Sequence, residues 1–547
     1  MTSRGQSTDA AVPAARRVAA VFSTELRPRA ALLALQLGAL ILLAGGQWSA
    51  GFPLDDAWIH QQVARNFAET GTLGLYPGQH GAGATSYLWA LLLAGNFASV
   101  NLNPALYANT LNGILFLAAG QLLFSVLLRD GLTQARAWTG ALLFSLAANC
   151  VWFVVSGMEA TSFVFLSLLC IYFWHRAEPS RGSVGAGIAA AALFLLRPEA
   201  ILLAPILLIR SGRPRLAPAI KLLLPLMLVA LGYVTTNWML TGHLSPATLE
   251  GRRWLYFGGA AGLRRIDFVS RFLLDWADRL ASYVLVMPWG LAFWPALGLA
   301  IQGGLEIARR KARGAGALCV WTLAHLATFA VLLPSPGHAG RYQPLLPGLF
   351  LLLVGEGLIS VVHTLRRLRH RESLARPQVW PALALLGSLS VVALSNWREA
   401  HAAAVVHINA SEVGAARLVA QLPAQARVAS FDIGAISFFS GRRVVDLGGL
   451  ADPGLAPALW QGETAKYLRA HKIDHVVLPM WQAERYPIFA NFMYRLGLLD
   501  APGLKLVPLA YAETLGDSSG PAMRFIGPSS PRQRLYRIEW TAEAGPP

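Results

Sequence analysis

Two adjacent carboxylates, Asp55 and Asp56, are the residues of this chain whose type and spacing most directly suggest chemistry. They follow Pro53-Leu54 and precede a helical run over residues 57–69, so one aspartate is expected at or near the helix N-cap. Because neighbouring carboxylates repel each other and a membrane surface partly desolvates them, the pKa of one should be raised, which suits a general base. The alternative is a simple cap at the positive end of the helix dipole, which needs only one acidic residue.

The same helix carries two further candidates for binding a charged substrate. His60 lies one turn beyond Asp56 and should share its face, where it could assist at a phosphate or a metal ion. An interfacial polar histidine without a ligand is the alternative. Arg65 could form a salt bridge or contact an anion. Glycines and prolines then bring the chain back to Ser86, so residues 51–86 are predicted to form a structured functional loop.

Ionisable side chains also stand where separate apolar segments end. Glu159, Arg197, Glu199 and the pair Arg341-Tyr342 each lie beside a turn that contains glycine or proline. In a folded helix bundle they could converge above the first loop, although helix caps and local ion pairs are the alternative. Ionisable residues near membrane depth are functional candidates by default. We therefore take Glu159, Arg197, Arg341 and Tyr342 as candidate substrate-binding residues.

The composition indicates a membrane protein. Of the 547 residues, 55% are hydrophobic and 14% are charged, whereas a soluble chain carries roughly a quarter charged residues. Because a span needs about 17 to 25 apolar residues, we predict an α-helical polytopic membrane protein with about eleven transmembrane helices. They are expected near residues 30–48, 104–128, 136–155, 160–175, 183–197, 198–210, 217–240, 281–304, 315–334, 344–364 and 378–396, with 86–99 as a possible addition.

The distribution of Lys and Arg predicts the orientation. Short cytoplasmic loops concentrate basic residues, and alternate loops of this chain do so when the N-terminus is cytoplasmic. The aspartate loop and the C-terminal tail then lie outside the plasma membrane. One outer loop breaks the rule, because residues 241–280 carry Arg252, Arg253 and four more arginines, which could contact anionic headgroups or the phosphate of a lipid-linked substrate. The net charge of +17 is attributed to topology, since no nucleic-acid-binding motif is present.

Three regions follow from this pattern. Residues 1–29 are predicted to be a cytoplasmic tail, residues 30–396 a transmembrane domain with a catalytic outer loop at 49–100, and residues 397–547 an extracytoplasmic α/β domain. A cleaved signal peptide at the N-terminus is an alternative. The α/β domain is expected to contain strands at 427–431, 444–447, 475–478, 506–509 and 535–540 and helices near 410–421, 462–471 and 482–496.

Polar residues and thiols within the predicted spans are expected to be structural. Glu356 and His325 should lie at similar depth on neighbouring antiparallel helices, so we predict that they pair. Cys150, Cys170 and Cys319 lack metal-ligand spacing and are expected to be packing residues.

The order of these motifs resembles that of the GT-C superfamily, polytopic glycosyltransferases that use polyprenyl-phosphate sugars. The likeness is to bacterial members around the mycobacterial terminal arabinofuranosyltransferases and the dolichyl-phosphate-mannose protein mannosyltransferase-like enzymes. It covers most of the chain through short motifs. They are Leu54-Asp55-Asp56-Ala57-Trp58-Ile59, Ala64-Arg65-Asn66, Tyr76-Pro77-Gly78, Thr85-Ser86-Tyr87-Leu88-Trp89, Ser156-Gly157-Met158-Glu159, Leu196-Arg197-Pro198-Glu199, Gly340-Arg341-Tyr342, Asp432-Ile433-Gly434-Ala435, Gly441-Arg442 and Val445-Asp446.

The resemblance implies an active site at the outer face of the membrane. In such enzymes the loop aspartate resembles a base that deprotonates the acceptor hydroxyl while the sugar leaves its lipid phosphate with inversion. On this basis Asp55 is the candidate base, with Asp56 supporting it or exchanging roles with it. Arg341 and the pair Arg252-Arg253 are the candidate phosphate contacts. This sequence departs from the family at Tyr87, where proline is usual, and at the small residues 81–84, which replace an acidic residue.

The implied partners are a polyprenyl-phosphate-linked sugar, the lipid bilayer and a glycan, lipid or protein acceptor. No cofactor is indicated beyond a possible divalent cation, and the identity of any metal stays open. One competing hypothesis is a lipid or glycan transporter or flippase, which should show broken helices in matched halves and polar residues at the middle of the bilayer. Another is a non-catalytic membrane scaffold whose outer domain binds a partner.

Overall fold

The computed structural model of the chain describes residues 14–79, 85–175, 179–211, 216–242, 244, 247–257, 264–287, 289–368, 379–452, 454–479, 495–498, 501–512 and 533–541. In these residues a bundle of helices is followed by a five-stranded sheet with short helices around it. A polytopic helical protein with a C-terminal domain of helices and strands is therefore confirmed in outline.

The bundle is built from long apolar helices and short polar ones. Local sequence sets their ends: the Asn103 side chain accepts hydrogen bonds from the backbone N–H groups of Ala105 and Leu106, at 2.9 and 3.1 Å, where a helix begins at Pro104. The helices are α1 (Ala14–Ala44), α2 (Asp55–Thr70), α3 (Tyr87–Gly95), α4 (Pro104–Arg129), α5 (Gln134–Ser145), α6 (Ala148–Val155), α7 (Ala160–Trp174), α8 (Pro179–Leu196), α9 (Leu203–Arg210), α10 (Leu216–Thr241), α11 (Ala247–Phe257), α12 (Arg265–Arg279), α13 (Trp289–Arg309), α14 (Arg313–Leu332), α15 (Leu346–Leu368) and α16 (Trp380–Ala410).

Among the described residues, fewer helices meet the length and composition of a membrane span than the sequence predicts. In the described part of the chain, six helices are long and apolar enough, and α5 with α6, bent by 55°, could make a seventh. Three shorter apolar segments, 87–100, 160–174 and 183–196, accompany them. The predicted count of about eleven is thus not confirmed. The predicted span at 198–210 is divided, since a 3-10 turn, Pro198–Leu202, precedes the short α9.

Small residues allow the helices to pack closely. At Gly357 on α15, an added Cβ would lie 1.9 Å from the carbonyl oxygen of Leu299 on α13. Only glycine fits such an approach of two backbones, which is the usual means of close helix packing within a membrane.

The C-terminal part forms what we call the sheet domain, from α17 to β5. Its strands are β1 (Val428–Ser430), β2 (Val444–Asp446), β3 (His475–Pro479), β4 (Leu504–Tyr511) and β5 (Gln533–Trp540), in the order β2-β1-β3-β5-β4. β1 runs parallel to β2 and β3, whereas β5 runs antiparallel to β3 and β4. The helices are α17 (Glu412–Ala420), α18 (Gly434–Ser440), α19 (Leu455–Gln461) and α20 (Thr464–Ala470).

All five predicted strands are present, with bounds that differ by a few residues. The predicted helices near 410–421 and 462–471 correspond to α17 and α20. The helix predicted at 482–496 lies almost entirely outside the described residues. We call the end of the bundle that contacts the sheet domain the domain side.

The predicted pairing of Glu356 with His325 is wrong. Glu356 Oε2 lies 2.6 Å from Arg136 Nη2, and His325 Nε2 lies 3.5 Å from Glu199 Oε1. Helix rise explains the difference, because His325 lies roughly 10 Å and Glu356 roughly 15 Å from the domain-side ends of their helices. The deeper carboxylate meets Arg136, which enters with α5 from the opposite end of the bundle.

Replacing Arg136 with methionine should destabilise the protein strongly, because Glu356 would remain buried without its partner. We expect a loss of about 3–5 kcal/mol, measured by thermal or chemical unfolding in detergent micelles. The double variant Arg136→Met/Glu356→Met should recover much of this loss. Arg310→Met, which removes a more exposed pair with Glu306, should cost less than about 1 kcal/mol. Equal losses at the two arginines would contradict the assignment.

Candidate active site

The aspartate pair forms the first turn of α2. Leu54 is the N-cap, and Asp55 and Asp56 are the first two helical residues, where negative charge is favoured by the helix dipole. The end of the helix is tied back to the loop by Asn66, whose Nδ2 donates to the carbonyl oxygens of Thr72 and Gly74, at 2.9 Å each. The loop is therefore a shaped segment, and its first turn has a fixed direction.

Asp55 faces the sheet domain. Its two carboxylate oxygens accept hydrogen bonds from the backbone N–H groups of Gly434 and Ala435, each at 2.7 Å. These residues begin α18, so Asp55 serves as the acceptor for that helix N-terminus. Burial raises the pKa of Asp55 to about 6, although the two backbone hydrogen bonds oppose the change and the charge of Asp56 adds to it.

Asp56 faces the helix bundle instead and pairs with Arg341. The Nη2 group of Arg341 donates to Asp56 Oδ2. The Asp56 side chain is 33% exposed, whereas the Arg341 side chain is 3% exposed. Burial alone would raise the pKa of Asp56, but the positive charges of Arg341, His338 and Arg252 and the hydrogen bond from Arg341 together outweigh it, and this pKa lies below its ordinary value. Asp56 is therefore an ionised carboxylate with access to solvent.

Arg341 is held in a tightly bonded connection between α14 and α15. Trp276 Nε1 donates to Gln343 Oε1 at 2.9 Å, and Asn149 Nδ2 donates to the Ala339 carbonyl oxygen at 2.8 Å. The backbone N–H of Tyr342 donates to the Pro336 carbonyl oxygen at 3.1 Å. The buried Nε and Nη1 atoms of Arg341 have no hydrogen-bond partner among the described residues. This guanidinium thus retains donors that can receive an anion.

A second group of ionisable side chains lies next to the pair of Asp56 and Arg341. Glu159 lies between His60 and Arg197, with His60 Nε2 at 3.7 Å from Oε2 and Arg197 Nε at 3.4 Å from Oε1. Arg197 also lies 3.6 Å from Glu199 and donates through Nη1 to the Tyr342 carbonyl oxygen at 3.0 Å. The charge of Arg197 is therefore balanced by Glu159 and Glu199. Its hydrogen bond to the Tyr342 carbonyl oxygen helps to hold the connection that carries Arg341.

α11 brings another arginine to the same place. The Cζ atom of Arg252 lies 5.1 Å from the centre of the Tyr342 ring, and its positive charge contributes to the lowered pKa of Asp56. Arg253, one residue on, turns away and pairs with Glu250 at 2.9 Å at the surface. α11 is held by the sheet domain, since an added Cβ at Gly251 would lie 2.6 Å from the Gly448 carbonyl oxygen.

The structure therefore separates the predicted site residues. Those it brings together, which we call the polar cluster, are Asp56, His60, Glu159, Arg197, Arg252, Arg341 and Tyr342. Asp55 and Arg65 face α18: Arg65 Nη2 donates to the Phe438 carbonyl oxygen at 2.9 Å, and its Cζ lies 4.2 Å from the centre of the Phe438 ring. Arg253 joins neither group.

The sequence analysis names Asp432 only as part of a motif and assigns no site role to it or to Glu412, the carboxylates of the sheet domain that lie beside Asp55. Gln533 Nε2 donates to Asp432 Oδ2, and Glu412 is buried 3.9 Å from His407 Nε2. Burial, with the charge of Asp55 adding to it, raises the pKa of Asp432 to about 8. The position of Asp432 directly after a buried strand was the available signal.

A metal site does not emerge from these side chains. Among the residues that the structure describes, no group of three or more His, Cys, Asp or Glu side chains is arranged to hold a metal ion. The three cysteines are free, and Cys150 and Cys170 are buried.

Comparison with known proteins identifies the fold. A family model described as a domain of unknown function, DUF8728, matches residues 396–514. Among curated proteins no similar sequence is found. The archaeal oligosaccharyltransferase AglB from Archaeoglobus fulgidus, solved with an inhibitory peptide and a dolichol-phosphate, is 12% identical and has a TM-score of 0.53, over 88% of this chain and 73% of that one.

ArnT from Cupriavidus metallidurans is similar over an even larger share of both chains. In its apo state it is 12% identical, with a TM-score of 0.53 over 95% of this chain and 98% of that one. A structure of the same protein bound to undecaprenyl phosphate has a TM-score of 0.52. The resemblance to GT-C glycosyltransferases predicted from the sequence is therefore confirmed as a likeness of fold over most of the chain.

The stability of the sheet domain should fall as the pH rises from about 4 to about 8. The pKa of Asp432 is raised to about 8 in the folded protein and is about 4 in an unfolded chain. The folded state thus binds more protons in this window, and stability is lost with rising pH. The lowered pKa of Asp56 acts in a separate window, because its contribution is present above about pH 4 and lost below it.

Thermal unfolding measured between pH 5 and pH 9 tests this. Asp432→Asn should flatten the decline, since the amide cannot ionise. Glu463→Gln, a more exposed carboxylate of the same domain paired with Lys466, should leave the decline unchanged. Parallel pH profiles for the wild type and Asp432→Asn would show that Asp432 is not the responsible group.

Proposed function

We propose that this chain is an inverting glycosyltransferase that moves a sugar from a polyprenyl-phosphate donor to a hydroxyl of a glycan, lipid or protein acceptor. In this proposal it is a multi-pass protein of the plasma membrane, with a cytoplasmic N-terminus and the domain side facing outwards. The observation that carries the proposal is the buried Arg341, which is paired with an ionised carboxylate through Nη2 and has unpartnered donors at Nε and Nη1.

The donor phosphate would bind to the unpartnered donors of Arg341. Nε and Nη1 lie on different edges of the guanidinium, so each can offer one charged hydrogen bond to a phosphate oxygen. Arg252 is the second cation, because it lies against the Tyr342 ring close to Arg341. In a partly buried setting these charges would stabilise the negative charge that develops as the sugar leaves its phosphate. Arg197 is a supporting residue, since Glu159 and Glu199 already balance it.

Asp56 is the better candidate for the base. The reason is its position and not its pKa: Asp56 is partly exposed within the polar cluster, whereas Asp55, whose pKa is the raised one, uses both oxygens to accept hydrogen bonds from α18. In the transfer step the acceptor oxygen bonds to the anomeric carbon and gives its proton to Asp56. The bond from the anomeric carbon to the phosphate oxygen breaks, and its electron pair leaves with polyprenyl phosphate. This assignment reverses the roles that the sequence suggested for the two aspartates.

Asp56→Asn should abolish most of the transfer, and because it also removes the negative partner of Arg341, its melting temperature is measured beside that of the wild type. Loss of a general base lowers the rate by about 10²–10⁴-fold. The measurement is mass spectrometry of lipid-linked sugars and envelope glycans. It uses cells from which the gene has been deleted and into which either the wild type or a variant has been reintroduced. The wild type should restore the missing sugar and remove the accumulated lipid-linked donor, and Asp56→Asn should do neither.

Glu69→Gln is the matched control, because it changes an exposed carboxylate on the same helix and should restore transfer fully. Full restoration by Asp56→Asn would contradict its role as base. Movement of lipid-linked sugar across liposome membranes by the purified protein, without any transfer, would favour a transporter.

Arg252 and Arg253 offer a test of the phosphate contacts, since they are neighbours on α11 with different directions. Arg252→Gln should weaken binding of undecaprenyl phosphate to the purified protein by roughly tenfold, the usual effect of losing one charged hydrogen bond. Arg253→Gln should leave the affinity unchanged. Arg341→Lys should also bind more weakly, because lysine keeps the charge but its single ammonium group cannot replace the Nε and Nη1 donors while it pairs with Asp56. Equal affinities for the wild type, Arg252→Gln and Arg341→Lys would refute this placement of the phosphate.

A further inference from the structure

We propose that Asp55 is a positioning residue: by holding the first turn of α18, it seats the sheet domain on the first loop and thereby fixes the direction of Asp56. The effect on Asp56 rests on the proposed function, whereas the seating of the sheet domain is independent of it. The two parts are therefore tested by different measurements.

The contact between Asp55 and α18 is close and specific. Both carboxylate oxygens are used, by the backbone N–H groups of Gly434 and Ala435 at 2.7 Å each. A Cβ added to Gly434 would lie 2.1 Å from the Asp55 carbonyl oxygen and 2.9 Å from the backbone nitrogen of Ile59. Only glycine lets the first turns of α2 and α18 approach in this way, so the backbones of the loop and the domain are in direct contact.

The same helix, α2, also holds the other end of α18. Arg65 Nη2 donates to the Phe438 carbonyl oxygen at 2.9 Å, near the C-terminus of α18. A carboxylate at the N-terminus and a guanidinium near the C-terminus both complement the dipole of a helix. Trp58 adds apolar contact between them, with its ring centre 5.0 Å from that of Phe438 and 4.6 Å from that of Phe439.

This double contact explains how a residue that faces away from the polar cluster can act on it. Asp55 and Asp56 are consecutive in a helix, so their side chains leave the axis about 100° apart. If Asp55 is fixed to α18, the backbone of the first turn is fixed, and Asp56 is directed towards Arg341. If Asp55 no longer accepts the hydrogen bonds from α18, the first turn of α2 can rotate or fray. Asp56 then loses its fixed direction.

The variants Asp55→Asn and Asp55→Ala distinguish a positioning role from a basic one. Asparagine retains one carbonyl oxygen that can accept one of the two N–H bonds but has no basicity, and alanine retains neither. We expect hydrogen exchange of the 434–440 amides to rise about tenfold in Asp55→Asn and further in Asp55→Ala. The turnover number should fall in the same order, by no more than about tenfold in Asp55→Asn, with the Michaelis constant for the lipid donor unchanged.

Three further variants complete the experiment, with purified full-length protein in nanodiscs. Gly434→Ala should reproduce Asp55→Ala, although it leaves the carboxylate in place. Asp56→Asn should lose transfer while exchange at 434–440 stays at the wild-type level. Glu463→Gln, a sheet-domain carboxylate away from α18, should change neither quantity. Circular dichroism and the melting temperature show which variants remain folded.

Two results would overturn the proposal. If Asp55→Asn were as inactive as Asp55→Ala while exchange at 434–440 stayed at the wild-type level, Asp55 would itself be the base. If Asp55→Ala left exchange unchanged, Asp55 would not seat the domain at all. Failure of the wild type to transfer any sugar would refute the proposed function alone, because the exchange measurement would still decide whether Asp55 holds α18.

Discussion

The charge of Arg341 must be balanced inside the protein, and the arrangement of the polar cluster depends on this constraint. A guanidinium cannot lose its proton to relieve burial, so a side chain with 3% exposure requires a negative partner. Asp56 provides that partner from α2, and this contact joins the first loop to the connection between α14 and α15. The connection is secured in turn by Arg197, which donates to the Tyr342 carbonyl oxygen and is balanced by Glu159 and Glu199. Each charged side chain in this series therefore requires the next one as its partner.

The sequence predicts part of the polar cluster but not the different roles of adjacent residues. The distribution of basic residues assigns the ends of apolar segments that carry Glu159, Arg197 and Arg341 to the same surface, and this suffices to predict that these residues could converge. The short apolar segments between polar helical ones likewise predict the five strands. The direction of Asp55 relative to Asp56, or of Arg252 relative to Arg253, depends on which element packs against each face of a helix. That information lies in residues far away in the sequence, such as Gly434 and Gly448.

The depth of a side chain in the helix bundle could not be predicted from the local sequence either. Glu356 and His325 lie on consecutive long helices, yet their partners come from α5 and from the turn before α9. A few residues of difference along a helix shift a side chain by several ångströms, and each residue turns it by about 100°. A charge within a bundle therefore pairs with whichever opposite charge reaches the same depth and face, irrespective of sequence separation. Counting apolar runs has the same weakness, because it does not distinguish a full span from a short or bent segment.

A likeness of fold at 12% identity leaves the chemistry to be argued from the site, since one fold can carry several activities. In this chain the site and the contact with the sheet domain share a single helical turn, because Asp56 and Asp55 are adjacent. The sheet domain also holds α11, which carries Arg252, through the close approach of Gly251 to Gly448. Asp56 and Arg252 are thus both positioned by helices, α2 and α11, that the sheet domain contacts. The domain is therefore part of what shapes the candidate active site, even though the polar cluster itself is made of residues from the helical part.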